Sequence, residues 1–289
     1  MLDRLMGAFM VERGLMTKNQ LDQVIKAQES NRAKLGVVAV SEKLMTIAQA
    51  EQVNALQASM DMRFGDIAVE KGYLTDAQVE RLLKLQGNSY MAFVQAVVDL
   101  GILPMEKISE IEKEYETYVG ATAIDMVELK TGNIDSIVPL FLHTGNETYK
   151  GIFSMAIKAL YRLVDTHVYI GKTYTVDSVR EEVIGYQHFH GDISGALAIS
   201  GKYDSIKRMA IDYTKEEFIE TREDALDAIC ELINCINGLY ATEESKKEVK
   251  LELNPPDFSV AFQGIDYEGI VVMPVYISGG EIKLTVRIV

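Results

Sequence analysis

The sequence predicts an α+β protein in which an all-helical repeat module precedes a domain of long helices packed on an antiparallel sheet. Three observations carry that prediction. A motif recurs every 29 residues through the first part of the chain. Apolar residues keep helical spacing up to about Val164, after which short alternating runs take over. One later segment, Glu223–Tyr240, returns to helical spacing with two chemically distinct faces.

The repeat is read from Gly14-Leu-Met-Thr17, Lys43-Leu-Met-Thr46, Gly72-Tyr-Leu-Thr75 and Gly101-Ile-Leu-Pro104, whose starts are each 29 residues apart. Gly7, Gly36 and Gly65 keep the same register, as do Gln28, Gln57 and Gln86. A period held over three intervals marks a stack of similar units. In each unit a short apolar helix ends at the glycine, which closes it in the left-handed conformation. Lys43 occupies that slot once and must carry some strain there or use a different cap. Thr-x-x-Gln then forms a capping box for the next helix, and Pro104 is tolerated at the fourth start. Residues 1–117 are therefore expected to form four helix–turn–helix repeats, with 118–145 as a linker and 146–289 as the second domain.

Within the linker, Asp125–Asn133 reads as a helix end or strand running into a Gly-Asn turn. Ser136–Leu142 reads as extended, with Pro139 suggesting an edge. Tyr149–Val164 is apolar at helical spacing, and Thr166–Thr175 alternates as a strand. Val183–His190 and Ala196–Ser200 flank Gly191–Gly195 as a hairpin, followed by the helix-like Tyr203–Tyr213. Lys247–Glu252, Phe258–Gln263, Gly269–Ile277 and Ile282–Val289 are four more strand candidates.

Composition narrows the function. A hydrophobic fraction of 48% and a charged fraction of 25% are those of a globular protein. A net charge of −14 argues against nucleic acid and against anionic membrane, both of which attract basic surfaces. Cys230 and Cys235 form no CxxC pair and read as buried reduced thiols in a cytosolic setting. The first residues carry scattered charges and no cleavable apolar core, so no signal peptide is expected. No apolar run is long enough for a spanning helix, so membrane insertion is not expected and the location read from the sequence is cytoplasmic.

The helix Glu223–Tyr240 carries the chemistry. At about 100° per residue, Leu226, Ile229, Leu232, Ile233, Ile236, Leu239 and Tyr240 cover its wide face. Glu223, Asp224, Asp227, Glu231, Asn234, Asn237 and Gly238 fall on the narrow one, with no cation among them. A solvated face usually mixes signs, because Glu-to-Lys pairs stabilise it. Glu231 and Asn234, three apart, set a carboxylate beside a carboxamide on a rigid support.

Glu231-Leu-Ile-Asn234 with Gly238 resembles the ExxN motif of the CheX/CheC/FliY phosphatases of bacterial chemotaxis. Gly191-Asp-Ile-Ser-Gly195 upstream, and Leu253-Asn-Pro255-Pro256 with Phe258–Gly264 downstream, extend the likeness over roughly Asn146 to Val289. The resemblance implies a CheX-like domain that hydrolyses phosphoaspartate on a phosphorylated CheY-like receiver. On it, Asn234 positions the water, Glu231 pairs with the receiver's lysine, and Mg2+ comes from the receiver; no cofactor belongs to this chain. A second ExxN helix, present in CheC-like members, is absent: the corresponding helix reads Met155-Ala-Ile-Lys158. One site, as in CheX, is expected. The alternative is a CheX-like module that binds a regulator without hydrolysing anything.

The repeat module resembles the N-terminal domain of type II secretion ATPases, including the MshEN variety, whose RLG-containing copies bind cyclic di-GMP. Arg63-Phe64-Gly65 keeps the arginine and glycine; the other units read Leu5-Met6-Gly7, Lys34-Leu35-Gly36 and Ala92-Phe93-Val94. Arg63, Gly65 and Gln86 are thus the cyclic-dinucleotide candidates. Loss of the planar guanidinium from three units weighs toward a packing or docking module instead. His188 and His190 share a strand face without a third ligand in sequence, so a solvated face is weighed above a metal site. An exposed strand edge suggests a homodimer.

Overall fold

The computed structural model describes residues 1–30, 32–60, 62–216, 219–261 and 264–289, and the side chain of residue 123 is not described. The chain divides into two compact units, Met1–Gly132 and Asn133–Val289.

The first unit is helical: α1 (Leu2–Glu12), α2 (Lys18–Ser30), α3 (Leu35–Ser41), α4 (Ile47–Gln57), α5 (Phe64–Glu70), α6 (Asp76–Leu85), α7 (Ser89–Asp99), α8 (Met105–Val119) and α9 (Ala123–Thr131). The ends of α1, α3, α5 and α7 fall at Glu12, Ser41, Glu70 and Asp99, keeping the 29-residue register of the sequence. Gly14, Gly72 and Gly101 adopt φ of 69°, 71° and 64°, and Lys43 is forced to 56° in the same slot. Thr46 with Gln49 and Thr75 with Gln78 form full capping boxes. At the first repeat the Gln20 backbone N–H donates to the Thr17 hydroxyl at 3.2 Å, and the Thr17 N–H donates to the Gln20 side chain at 2.8 Å. α7 forms the core of the unit, packed against α1, α2, α3 and α8. Its Tyr90 and Phe93 are fully buried.

The second unit opens with α10 (Ile134–Phe141) and α11 (Glu147–Leu163). The expectation of an extended segment at Ser136–Leu142 is corrected by α10. Asn133 caps it by accepting from the Asp135 N–H, and its helical spacing buries Ile137, Val138 and Phe141. That burial outweighs Pro139, which lies near the C-terminal end of a short helix and removes a single hydrogen bond. The strand expected over Thr166–Thr175 is interrupted, giving β1 (Tyr169–Ile170) and β2 (Tyr174–Val179). There follow β3 (Val183–Gly191), β4 (Gly195–Gly201), α12 (Tyr203–Thr214), α13 (Arg222–Ser245), β5 (Leu251–Leu253), β6 (Asp257–Ser259), β7 (Ile265–Ile277) and β8 (Gly280–Ile288). Of the strand expected over Phe258–Gln263, Phe258 and Ser259 lie in β6, while 262 and 263 fall outside the described residues.

The strands form one antiparallel sheet in the order β1-β7-β8-β4-β3-β5, with β2 also on β7 and β6 also on β3. α13 crosses it on β3, where Gly185 permits close approach: a Cβ there would lie 3.2 Å from Ile229 and 3.4 Å from Ile233. Among the described residues no helix is long and apolar enough to cross a membrane.

Candidate functional site

α13 is started by a capping box, Thr221 and Asp224, and its first residue, Arg222, pairs with Glu182 and donates to the Val260 carbonyl at 2.9 Å. Leu226, Ile229, Leu232, Ile233 and Ile236 are fully buried against the sheet. Two residues depart from the two-face reading of the sequence. Leu239, assigned to the apolar face, is 45% exposed, and Asn237, assigned to the polar one, is completely buried.

Glu231 and Asn234 both stand exposed on α13, one turn apart. Glu231 makes no ion pair or hydrogen bond among the described residues. Asn234 is braced from below. Its Oδ1 accepts from Gln187 Nε2 at 2.7 Å, and the same nitrogen donates to the Asn254 carbonyl at 2.7 Å. Asn237 Nδ2 donates to Gln187 Oε1 at 2.8 Å. Gln187 is 1% exposed and lies on β3 at an inward position between Gly185 and Phe189.

This relay has a fixed polarity. A backbone carbonyl only accepts, so the end of Gln187 facing Asn254 must be its NH2. Gln187 Oε1 therefore faces Asn237, and Asn234 must present Oδ1 inward and Nδ2 outward. Sequence reasoning missed Gln187, Asn237 and Asn254. A glutamine at an inward position of an otherwise apolar alternation is the signal that could have found the first.

Tyr213 of α12 has its hydroxyl pKa pushed up by burial first, then by Cys235 and Glu231. Cys230, behind the helix, donates weakly to the Asp257 carbonyl, and burial together with Asp227 and Asp257 pushes its thiol up to about 11. Gly238, one turn beyond Asn234, has nothing within 4 Å of where a Cβ would sit, so the surface above it is open. The surface offers a donor–acceptor amide and a carboxylate to a partner.

A model of the family described as chemotaxis phosphatase CheX matches residues 183–266, a stretch holding Gln187, Glu231, Asn234 and Asn254. The second unit thus contains a stretch similar to that family. This domain is similar in fold to the chemotaxis protein CheX of Desulfovibrio desulfuricans, at 14% identity over 50% of this chain and 100% of that one, TM-score 0.43. It is also similar to a CheC-like superfamily protein from Shewanella sp. PV-4, at 16% identity over 50% and 99%, TM-score 0.45. A chain of the CheX–CheY–BeF3–Mg2+ complex from Borrelia burgdorferi matches at 18% identity over 48% of this chain and 96% of that one, TM-score 0.40. No curated protein matches the chain.

The other sequence candidates sit elsewhere. In the first unit Arg63, Gly65 and Gln86 line one cavity of about 370 Å3, together with Lys34, Gly36 and Gln57. Gln86 Nε2 is taken by the Ala33 carbonyl at 2.8 Å, and Gln28 Nε2 by Asp3 and the Ser89 carbonyl, so these two repeat glutamines tie distant segments together. Gly65 makes room for Val79, 2.8 Å from an added Cβ. Lys34 is paired with Asp99, whereas Arg63 forms no ion pair among the described residues. In the second unit, His190 contacts Asn254 Oδ1 at 3.0 Å and Glu252 at 3.4 Å. Among the described residues no group of three or more His, Cys, Asp or Glu is arranged to hold a metal ion.

Proposed function

We propose that the second unit hydrolyses the phosphoaspartate of a CheY-like response regulator. The observation that carries this reading is the exposed Glu231/Asn234 pair, with the Asn234 carboxamide braced by Gln187. The match to a family described as a chemotaxis phosphatase supports it.

An acyl phosphate is already activated, and its hydrolysis needs an in-line water and neutralised phosphoryl oxygens. On this reading the regulator brings Mg2+ and a lysine, and α13 brings the rest. Glu231 pairs with the lysine and sets the register. Asn234 enters the regulator's site and orients the water through its outward Nδ2, adding no charge to repel the phosphoryl group. Water attacks phosphorus, the bond to the aspartyl oxygen breaks, and the products are a free carboxylate and inorganic phosphate.

The test is the decay of a phosphorylated CheY-like receiver with and without this protein, beside Asn234→Ala and Glu231→Ala. Faster decay that Asn234→Ala removes without removing binding supports hydrolysis. Binding with no change in decay, across several cognate receivers, overturns it and leaves a recognition module.

A second reading concerns the first unit. The cavity shared by Lys34 and Arg63, with Arg63 unpaired among the described residues, favours an anionic ligand such as cyclic di-GMP over a purely structural repeat. Titration calorimetry with cyclic di-GMP decides it: binding lost in Arg63→Ala supports this reading, and no heat with the wild type leaves a docking module.

A further inference from the structure

The two faces of the sheet in the second unit are built differently. Gly185 faces α13, and the residue opposite it in register on β4 is Ile199, which in turn faces Leu284 on β8. On the other face the register sets Tyr186, Ala198 and Thr285 in one row and His188, Ala196 and Arg287 in the next. The middle strand thus contributes only alanines between larger neighbours. Small residues flanked by large ones leave a trough, and a cavity of about 460 Å3 lies there, walled further by Ile265, Tyr267 and Ile270.

This trough is apolar but not indifferent. Thr285 is 3% exposed, and its buried Oγ1 has no partner. The Nε of Arg287 is also buried without an acceptor. Its guanidinium lies 4.6 Å from the centre of the Tyr267 ring, and among the described residues no carboxylate pairs with it. That is unusual in a chain of net charge −14, where acidic partners abound. Lys283, next along the same face, is already paired with Glu181. One guanidinium N–H and one hydroxyl, on residues about 7 Å apart along a strand, therefore remain without a partner among the described residues at the edge of an apolar trough. Buried donors are seldom left without an acceptor.

We propose that this trough binds an amphipathic monocarboxylate. The apolar body lies over Ala196 and Ala198, and the single negative head takes the Arg287 Nε–H and the Thr285 hydroxyl. One available guanidinium matches one charge; a phosphate dianion asks for more cations than the trough supplies. The size is that of a small-molecule site. The site lies on the face of the sheet away from α13, and the proposal does not rest on the phosphatase reading.

The probe is decanoate below its micelle concentration, titrated calorimetrically into the full chain, with 1-decanol as the neutral counterpart. Variants are Arg287→Gln and Ala198→Leu, with folding checked by circular dichroism. The expected result is one decanoate per chain, weakened about tenfold or more by Arg287→Gln. The same variant leaves decanol unchanged, and Ala198→Leu abolishes both by filling the trough. No heat with decanoate, or decanoate and decanol binding alike in wild type and Arg287→Gln, overturns the proposal. So does sedimentation in which Ala198→Leu turns a wild-type dimer into a monomer, since a second copy then covers this face.

Discussion

Gln187 decides which end of the Asn234 carboxamide meets the solvent. Its Nε2 donates to Asn234 Oδ1 and to the Asn254 carbonyl, each at 2.7 Å, and the carbonyl leaves no choice of orientation. The outward Nδ2 is therefore a property of β3 and of the segment after α13 as much as of the helix that bears Asn234.

Asn234→Asp separates fold from chemistry. A carboxylate still accepts from Gln187, so the relay below it is kept, and Tm is expected to move by less than about 2 °C. The donor is lost and a negative charge now faces the phosphoryl group. Acceleration of receiver dephosphorylation is expected to fall about 100-fold or more, in the range seen when one positioned donor is removed. A variant as active as wild type in a phosphate-release assay would remove the donor from the mechanism.

Gln187→Leu tests the brace. It leaves Asn237 Nδ2 and the Asn254 carbonyl without their partner in a buried setting, at about 1–3 kcal/mol in urea unfolding. At saturating regulator the remaining folded protein is expected to turn over more slowly, because Asn234 is free to flip. Unchanged turnover at saturation would confine Gln187 to stability.

Lys43 holds φ of 56°, where three sister positions use glycine. A non-glycine residue pays about 1–2 kcal/mol in that region, partly offset by its stiffer unfolded chain. Lys43→Gly is expected to stabilise by about 0.5–1 kcal/mol, and Gly72→Ala to destabilise by about 1 kcal/mol. Urea unfolding followed by circular dichroism reads both, and a destabilised Lys43→Gly would show that the lysine side chain contributes more than its backbone costs.

Much of this was legible because it is local. The capping boxes at Thr46 and Thr75 and the left-handed closures at Gly14 and Gly72 depend on residues at most a few positions apart. The wide face of α13 followed from spacing alone. What escaped was set by distant partners. Asn237 is buried because Gln187, 50 residues away, meets it, whereas Leu239, on the apolar side by spacing, is 45% exposed. α10 departs from the extended reading that Pro139 suggests, because burial of Ile137, Val138 and Phe141 on one side sets a helix there. The Arg287 trough needs the pairing of β3, β4 and β8, which no single segment reveals.

The two cysteines of α13 should react differently. Burial and the neighbouring Asp227 and Asp257 raise the Cys230 thiol to about 11, so below that pH it stays protonated and unreactive. Cys235 is partly exposed and follows Asn234 directly. Iodoacetamide at pH 8 is expected to modify Cys235 and spare Cys230 in the folded protein. Cys230 labelling should rise as pH approaches about 11, or at once in urea. Peptide mass spectrometry reads the sites, and rapid Cys230 modification at pH 8 would contradict its burial. A bound receiver should also shield Cys235.

Gly238 tests whether α13 is a docking surface at all. Glycine inside a helix costs roughly 1 kcal/mol relative to alanine, and nothing in the fold requires it, since a Cβ there meets no atom within 4 Å. Gly238→Ala should therefore stabilise α13 by up to about 1 kcal/mol. Gly238→Leu should fold equally well, yet it raises a bulky side chain one turn from Asn234, where a regulator would approach under the proposed function. The expected outcome is a Tm at or above wild type, with receiver binding weakened about tenfold or more for leucine and less for alanine, a loss equivalent to about 1.4 kcal/mol. Equal receiver affinity in wild type and Gly238→Leu would move the docking surface away from this end of α13, and Asn234 with it.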